Sequence, residues 1–198
     1  MGDIKKFKKK YEPPRHPWQR EVLAEEKKLR KEYALKNRLE ITRVNSFLKK
    51  YKDIAKRLIA TKTAQADIER KLVISKLEKL GLVGIGSELH HVLSLTNKDV
   101  LERQITSVLV RRGLARTKKQ ARQFVVHRHI EVGKKQITSP THLLTLEEEG
   151  LVIFREQSNL SNAQHPERTI ETKKAKEEAE KVKAKAKKDE EQKVEEKA

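Results

Sequence analysis

Thr117-Lys118-Lys119-Gln120-Ala121-Arg122-Gln123-Phe124-Val125-Val126-His127-Arg128-His129-Ile130-Glu131-Val132-Gly133-Lys134-Lys135-Gln136-Ile137 is the stretch whose reading decides the fold. Its first half is helical, with Ala121, Phe124 and Val125 on one face at spacings of three and four. Thr117 stands at the N-cap, and Gln120 three residues on offers a capping box. After Val126 the period drops from 3.6 to 2, as Ile130 and Val132 alternate with His129 and Glu131. Gly133-Lys134-Lys135 turns the chain and Gln136-Ile137-Thr138 returns, which predicts a short hairpin with a basic tip.

Outward from this stretch, Leu101, Ile105, Val108 and Leu109 mark one face of a preceding helix, and Gly113 suits a left-handed stop. Only Leu114-Ala115-Arg116 joins the two helices, so they must lie close together. Leu151-Val152-Ile153-Phe154 supplies a further strand. Residues 97–154 therefore read as helix, helix, small sheet.

Upstream, residues 17–96 read as a helical subdomain. A first helix is expected from Pro17, with Trp18, Val22, Leu29 and Tyr33 on one face. A second has Ile41, Val44, Leu48, Tyr51, Ala55 and Leu58 inward. A third runs near 67–80, with Ile68, Leu72, Leu77 and Leu80 inward and Gly81 ending it. Residues 1–16 form a basic extended arm whose prolines Pro13 and Pro14 bar a helix. Residues 155–198 are a linker and charged tail. The part from Pro166 holds 11 Lys+Arg against 10 Asp+Glu and almost no large apolar side chain, so disorder or a fraying helix is expected. The fold class is α+β: an N-terminal helical subdomain, then a helix-helix-small-sheet domain, then the tail.

Charge narrows the function. The chain has 198 residues, 47 Lys+Arg, 29 Asp+Glu and a net charge of +18. A surface this basic repels itself and calls for a polyanionic partner. No apolar run is long enough to span a bilayer. Met1-Gly2-Asp3-Ile4-Lys5 lacks the apolar stretch of a secretory signal, and Lys6 stands where myristoylation wants Ser or Thr. There is no cysteine, which excludes disulfides and thiolate metal sites and fits a cytoplasmic protein. Aromatics at 4% and charged residues at 38% leave a modest aliphatic core, thinner than large enzymes need. Gly84-Ile85-Gly86 lacks the strand-helix context of a phosphate cradle. His90-His91 has no further ligand at metal spacing, so no metal or cofactor is expected.

The candidate RNA-binding residues follow from the density of cations. Over 101–138, Arg103, Arg111, Arg112, Arg116, Lys118, Lys119, Arg122, Arg128, Lys134 and Lys135 oppose only Glu102 and Glu131. Lys118, Lys119 and Arg122 are helical neighbours able to share an exposed face, and Thr117 opens the same helix with its partial positive charge. In the arm, Lys5, Lys6, Lys8, Lys9, Lys10 and Arg15 are poised to lie along phosphates. Such a surface is expected to grip a phosphate backbone by charge, with few aromatics available for base stacking. If about six phosphates are neutralised, log affinity falls with log salt at a slope of about −4 to −5.

Leu101-Glu102-Arg103-Gln104, Arg112-Gly113-Leu114-Ala115-Arg116-Thr117, Gln120-Ala121-Arg122-Gln123 and Val126-His127-Arg128-His129-Ile130 together resemble the RNA-binding motif of the small-subunit ribosomal protein S-four family. Gly133, Ile137 and Ser139-Pro140 continue the likeness. Lys10-Tyr11-Glu12 through His16-Pro17-Trp18 resembles its archaeal and eukaryotic branch, so the resemblance covers 1–154. It implies direct, early binding of small-subunit ribosomal RNA and nucleation of the subunit body. It also implies a place near the messenger entry channel and a share in decoding accuracy with a neighbouring small-subunit protein. Neither a membrane nor a small-molecule substrate is implied. Arg128 departs from the family, which usually has glycine between its two histidines; a positive φ there costs a side chain roughly 1–2 kcal/mol. Arg103-Gln104 replaces a frequent arginine pair, and the N-terminal cysteines that bind zinc in some relatives are absent. The same domain also serves RNA-modifying enzymes and free RNA chaperones, and a DNA-compacting protein is a further alternative. Residues 17–95 offer no catalytic constellation for the first.

Overall fold

The computed structural model describes residues 9, 11–162, 165 and 167. Its first half is built on α2 (Arg38–Ala60), whose Ile41, Val44, Leu48, Tyr51, Ala55 and Leu58 form one buried stripe, as their spacing predicts. Each large aliphatic side chain so buried contributes about 1.5–3 kcal/mol. Around it pack α1 (Arg20–Glu32), α3 (Ala64–Lys79), α4 (Leu89–Ser94) and α5 (Asn97–Glu102). Their shared core runs from Tyr33 to Leu101.

Two expectations fail in this half. Helix α1 starts at Arg20 rather than Pro17, and Trp18 is 84% exposed. Arg38 explains part of this: its Nη1 donates to the Pro17 carbonyl at 3.1 Å, fixing the chain before the helix begins. In α3, Ile68 and Leu72 face outward, while Ala66 and Leu77 are buried. The phase is set by Arg70, which lies on the inward side. Its guanidinium donates to the carbonyls of Leu58 (2.6 Å) and Thr61 (2.7 Å), satisfying the C-terminal end of α2. An arginine on the core-facing stripe is invisible to a purely apolar pattern.

The single helix expected across Leu101–Leu109 is two helices. Helix α5 stops at Glu102, and α6 (Ile105–Arg111) starts afresh with Gln104 as N-cap. The break persists because the segment 142–144 takes over its backbone groups. Ile105 N–H donates to His142 O at 2.9 Å, and Leu144 N–H donates to Arg103 O at 3.1 Å. Leu101, Ile105, Val108 and Leu109 are all fully buried even so.

Helix α6 packs on α7 (Lys118–Val126), which buries Ala121, Phe124 and Val125. Thr117 Oγ1 accepts from Gln120 N–H at 3.2 Å, and Gln120 Oε1 accepts from Arg116 N–H at 2.9 Å. The return half of the expected capping box is thus shifted by one residue. The hairpin pairs β1 (Ile130–Val132) with β2 (Lys135–Gln136), matching Glu131 to Gln136 and Val132 to Lys135. Gly133, at φ +59°, opens its two-residue turn. Strand β3 (Val152–Phe154) completes the order β2-β1-β3. Between sheet strands lies α8 (Leu146–Gly150), which the apolar pattern does not reveal.

The described residues divide into one unit up to Ile153 and a second from Phe154 onward. In the second, Ser158 Oγ accepts from Leu160 N–H and opens the 3-10 turn Asn159–Ser161. The charged tail from 168 onward, and with it the expectation of disorder, lies outside the described residues.

Glycine 81 follows α3 at φ +66°. Its N–H donates to Glu78 O, and the next N–H, of Leu82, reaches back to Leu77 O. An added Cβ would sit 2.8 Å from Leu146 Cδ2. Gly81→Ala is therefore expected to destabilise the chain by at least about 1–2 kcal/mol, read from urea melts.

Candidate nucleic-acid interface

The sequence-derived cations differ in how deeply the protein's own groups engage them. Arg103 is held. Its side chain is only 8% exposed, with Nη1 2.6 Å from Glu149 Oε2 and Nη2 3.1 Å from Leu144 O. It braces α8 against the α5–α6 break, so its guanidinium is engaged within the protein rather than presented at the surface. Arg111 pairs with the other Glu149 oxygen at 2.9 Å. Arg112 Nη1 donates to the carbonyls of Glu149 (2.6 Å), Gly150 (3.2 Å) and Val152 (2.9 Å). Three arginines thus converge on the end of α8. Burial opposes ionisation of Glu149, but Arg103 and Arg111 outweigh it and hold its carboxyl below the usual range.

The shared exposed face of Lys118, Lys119 and Arg122 also divides. Arg122 makes a two-pronged pair with Glu40 of α2, at 2.9 and 2.5 Å, and both side chains are largely buried. Lys118 Nζ lies 3.5 Å from the Tyr33 ring centroid. Tyr33 in turn donates its hydroxyl to Glu102 at 3.0 Å; burial first, then that carboxylate, raises its pKa far above the phenol range. Lys119 alone of the three is exposed. The expectation that all three share a solvent face is corrected: two of them knit α7 to the N-terminal helices.

Arg111 and Arg112 stay exposed despite their bonds to α8 and its end, and the other exposed candidates on this half are Arg116, Thr117, Lys119, Arg128, Lys134 and Lys135. They lie at the entrance of α7, just past its end, and on the hairpin tip. In the arm, Lys9 and Arg15 are exposed, whereas Lys5, Lys6, Lys8 and Lys10 lie outside the described residues. Glu12 ties the arm to α2: its N–H donates to Ser46 Oγ at 2.9 Å, and its carboxylate pairs with Lys49. An open pocket of about 740 Å³ beside it is lined by Lys9, Tyr11, Lys49, Lys50 and Arg57 among others.

His91 caps α4 by accepting the Glu88 N–H through Nδ1 at 3.3 Å. Among the described residues no cluster of three potential metal ligands exists, and no helix is long and apolar enough to cross a membrane.

Comparison with known proteins fits this arrangement. A domain model described as the S4 domain matches residues 105–149, from the first residue of α6 to Glu149. The small ribosomal subunit protein uS4 of Nanoarchaeum equitans (strain Kin4-M) is 45% identical over 168 residues, 84% of this chain and 93% of its own length. The chain belongs to the uS4 family. The small ribosomal subunit proteins uS4 of two Methanococcus maripaludis strains are also similar. That of strain DSM 14266 is 37% identical over 173 residues, covering 87% of this chain and 97% of its own. That of strain C5 is 37% identical over 171 residues, covering 85% and 96%.

The S4 domain of this uS4 chain resolves the question raised by Arg128. Its φ is +64°, so the left-handed turn is kept and the arginine adopts it. Arg128 N–H donates to Val125 O at 3.1 Å and His129 N–H to Phe124 O at 2.9 Å, the same paired bonds that Gly113 and Leu114 make after α6. Restoring glycine relieves the strain: Arg128→Gly is expected to stabilise the chain by about 1 kcal/mol in thermal or urea melts. A simultaneous loss of RNA affinity would assign the arginine's retention to phosphate contact.

Sequence reasoning missed Glu149, Glu40 and Tyr33, which decide where the arginines and Lys118 point. A signal for the first was present. Thr145 and Glu148 form a reciprocal capping box, detectable as T-x-x-E, that announces α8. Nothing in the sequence marks the long-range partner of Arg122.

Proposed function

We propose that this chain is a structural constituent of the small ribosomal subunit that binds its RNA through the S4 domain and the adjoining basic helices. One observation carries the reading: the named uS4 relatives match along nearly their whole length, well beyond the domain shared with RNA-modifying enzymes. The exposed cations of α7 and the hairpin supply the chemistry. They displace counterions along phosphates while packed helices fix their spacing, so the chain reads RNA by shape. The role is binding rather than catalysis.

The finer reading rests on the family resemblance. The chain binds early, nucleates the subunit body, and lies in cytoplasmic ribosomes near the messenger entry channel. There it contributes to decoding accuracy with a neighbouring small-subunit protein.

Salt-washed small subunits test the structural role. The chain is expected to remain at one copy per particle after washing. Its loss from mature particles, with retention only on precursors, would favour an assembly factor or free chaperone instead.

A further inference from the structure

The seam between α7 and the N-terminal helices has a consequence for binding. Lys118 and Arg122 occupy one side of α7, engaged with Tyr33 and Glu40. Lys119, between them in sequence, is directed elsewhere and lines an open pocket of about 430 Å³ with Lys27, Arg30, Lys31, Ala34 and Leu35. The pocket thus draws its cations from two elements far apart in the chain, α1 and α7. No lining residue is acidic. Arg30 is partly oriented by donating Nη2 to Lys36 O at 3.1 Å. The left-handed turn at Ala34 (φ +52°), just after α1, supplies part of the floor. Four like charges around one concavity raise the energy of the free protein, and an anion relieves it.

We propose that Lys27, Arg30, Lys31 and Lys119 form a phosphate-gripping site for the RNA backbone that neither α1 nor the S4 domain holds alone. Arg122 is a positioning residue in this arrangement. It holds α7 against α2 through Glu40, so that Lys119 meets the α1 cations, and it does not touch phosphate itself. The inference rests on the RNA-binding reading above and deepens it by naming one site that α1 and α7 build jointly.

The full chain and small-subunit RNA serve as the probes, with affinity measured across a salt series. Lys119→Glu and the pair Lys27→Glu/Lys31→Glu are each expected to weaken binding about tenfold or more. They also flatten the salt slope, by about one unit and about two units respectively. Combined, their effects fall short of the product, because they act on one site. Arg122→Glu weakens binding about tenfold, and adding Glu40→Arg restores it to within about threefold by re-forming the pair in reverse. A swapped chain that melts normally but binds as weakly as Arg122→Glu would place Arg122 on phosphate and overturn the positioning role. Unchanged affinity and slope on reversing Lys27 and Lys31 would overturn the site. If Arg122→Glu unfolds the chain, the exposed α1 and Lys119 variants still decide. A wild-type chain with no preference for this RNA would instead refute the RNA-binding reading.

Discussion

Replacing Glu149 with alanine is expected to lower the stability of the folded chain by about 3–5 kcal/mol, the cost of stranding a buried charge. Arg103 is 8% exposed, so its guanidinium would lose its carboxylate with little access to solvent in exchange. Arg111 loses its carboxylate as well, though it is half exposed and loses less. Arg103→Ala removes the charge instead of orphaning it, and is expected to cost less than Glu149→Ala. Urea melts of the two variants check the order, and equal, small effects would show that the arginine cluster does not hold α8.

The same carboxylate gives a pH dependence. The folded chain holds Glu149 below the ordinary value of 4.5. A lowered folded-state pKa stabilises the fold fully above the unfolded value. That contribution fades as pH falls through the lower folded value. Melting temperature should therefore drop below about pH 4.5, and less so in Glu149→Gln, which has no carboxylate left to protonate at that position.

The second large effect concerns binding. Reversing Lys119, Lys134 and Lys135 together is expected to weaken RNA affinity on the order of 100-fold or more and flatten the salt slope by about three units. All three are exposed, and no ion pair holds them among the described residues, so the circular-dichroism spectrum and melt should be unchanged. Reversing Lys118 and Arg122 is a different experiment. Those substitutions set an acid against Glu40 and Tyr33–Glu102, and their first effect is on packing. Affinity lost there is no measure of phosphate contact.

Local patterns carried far in this chain. The stripe of α2, the Thr117 cap, the left-handed stops at Gly81 and Gly113 and the period change at Ile130 were all legible, because each depends on near neighbours. What failed depends on distant ones. Residues 142–144 break the helix at Arg103 by claiming its backbone bonds. Arg70 turns α3 by capping α2, leaving Ile68 and Leu72 outside. For the site, a run of cations announces an anionic partner but not which members face it. Arg103 and Arg122 read as surface charges until Glu149 and Glu40, dozens of residues away, are brought to them by the fold.

An array of exposed cations on packed helices, matched to folded RNA, is the central claim. Its most direct test is competition binding of the full chain to structured small-subunit RNA against an unstructured polyanion of equal charge, over a salt series. The account predicts a clear preference for the structured RNA that survives at high salt, with a slope of about −4 to −5. Equal binding to both, lost together as salt rises, would contradict it.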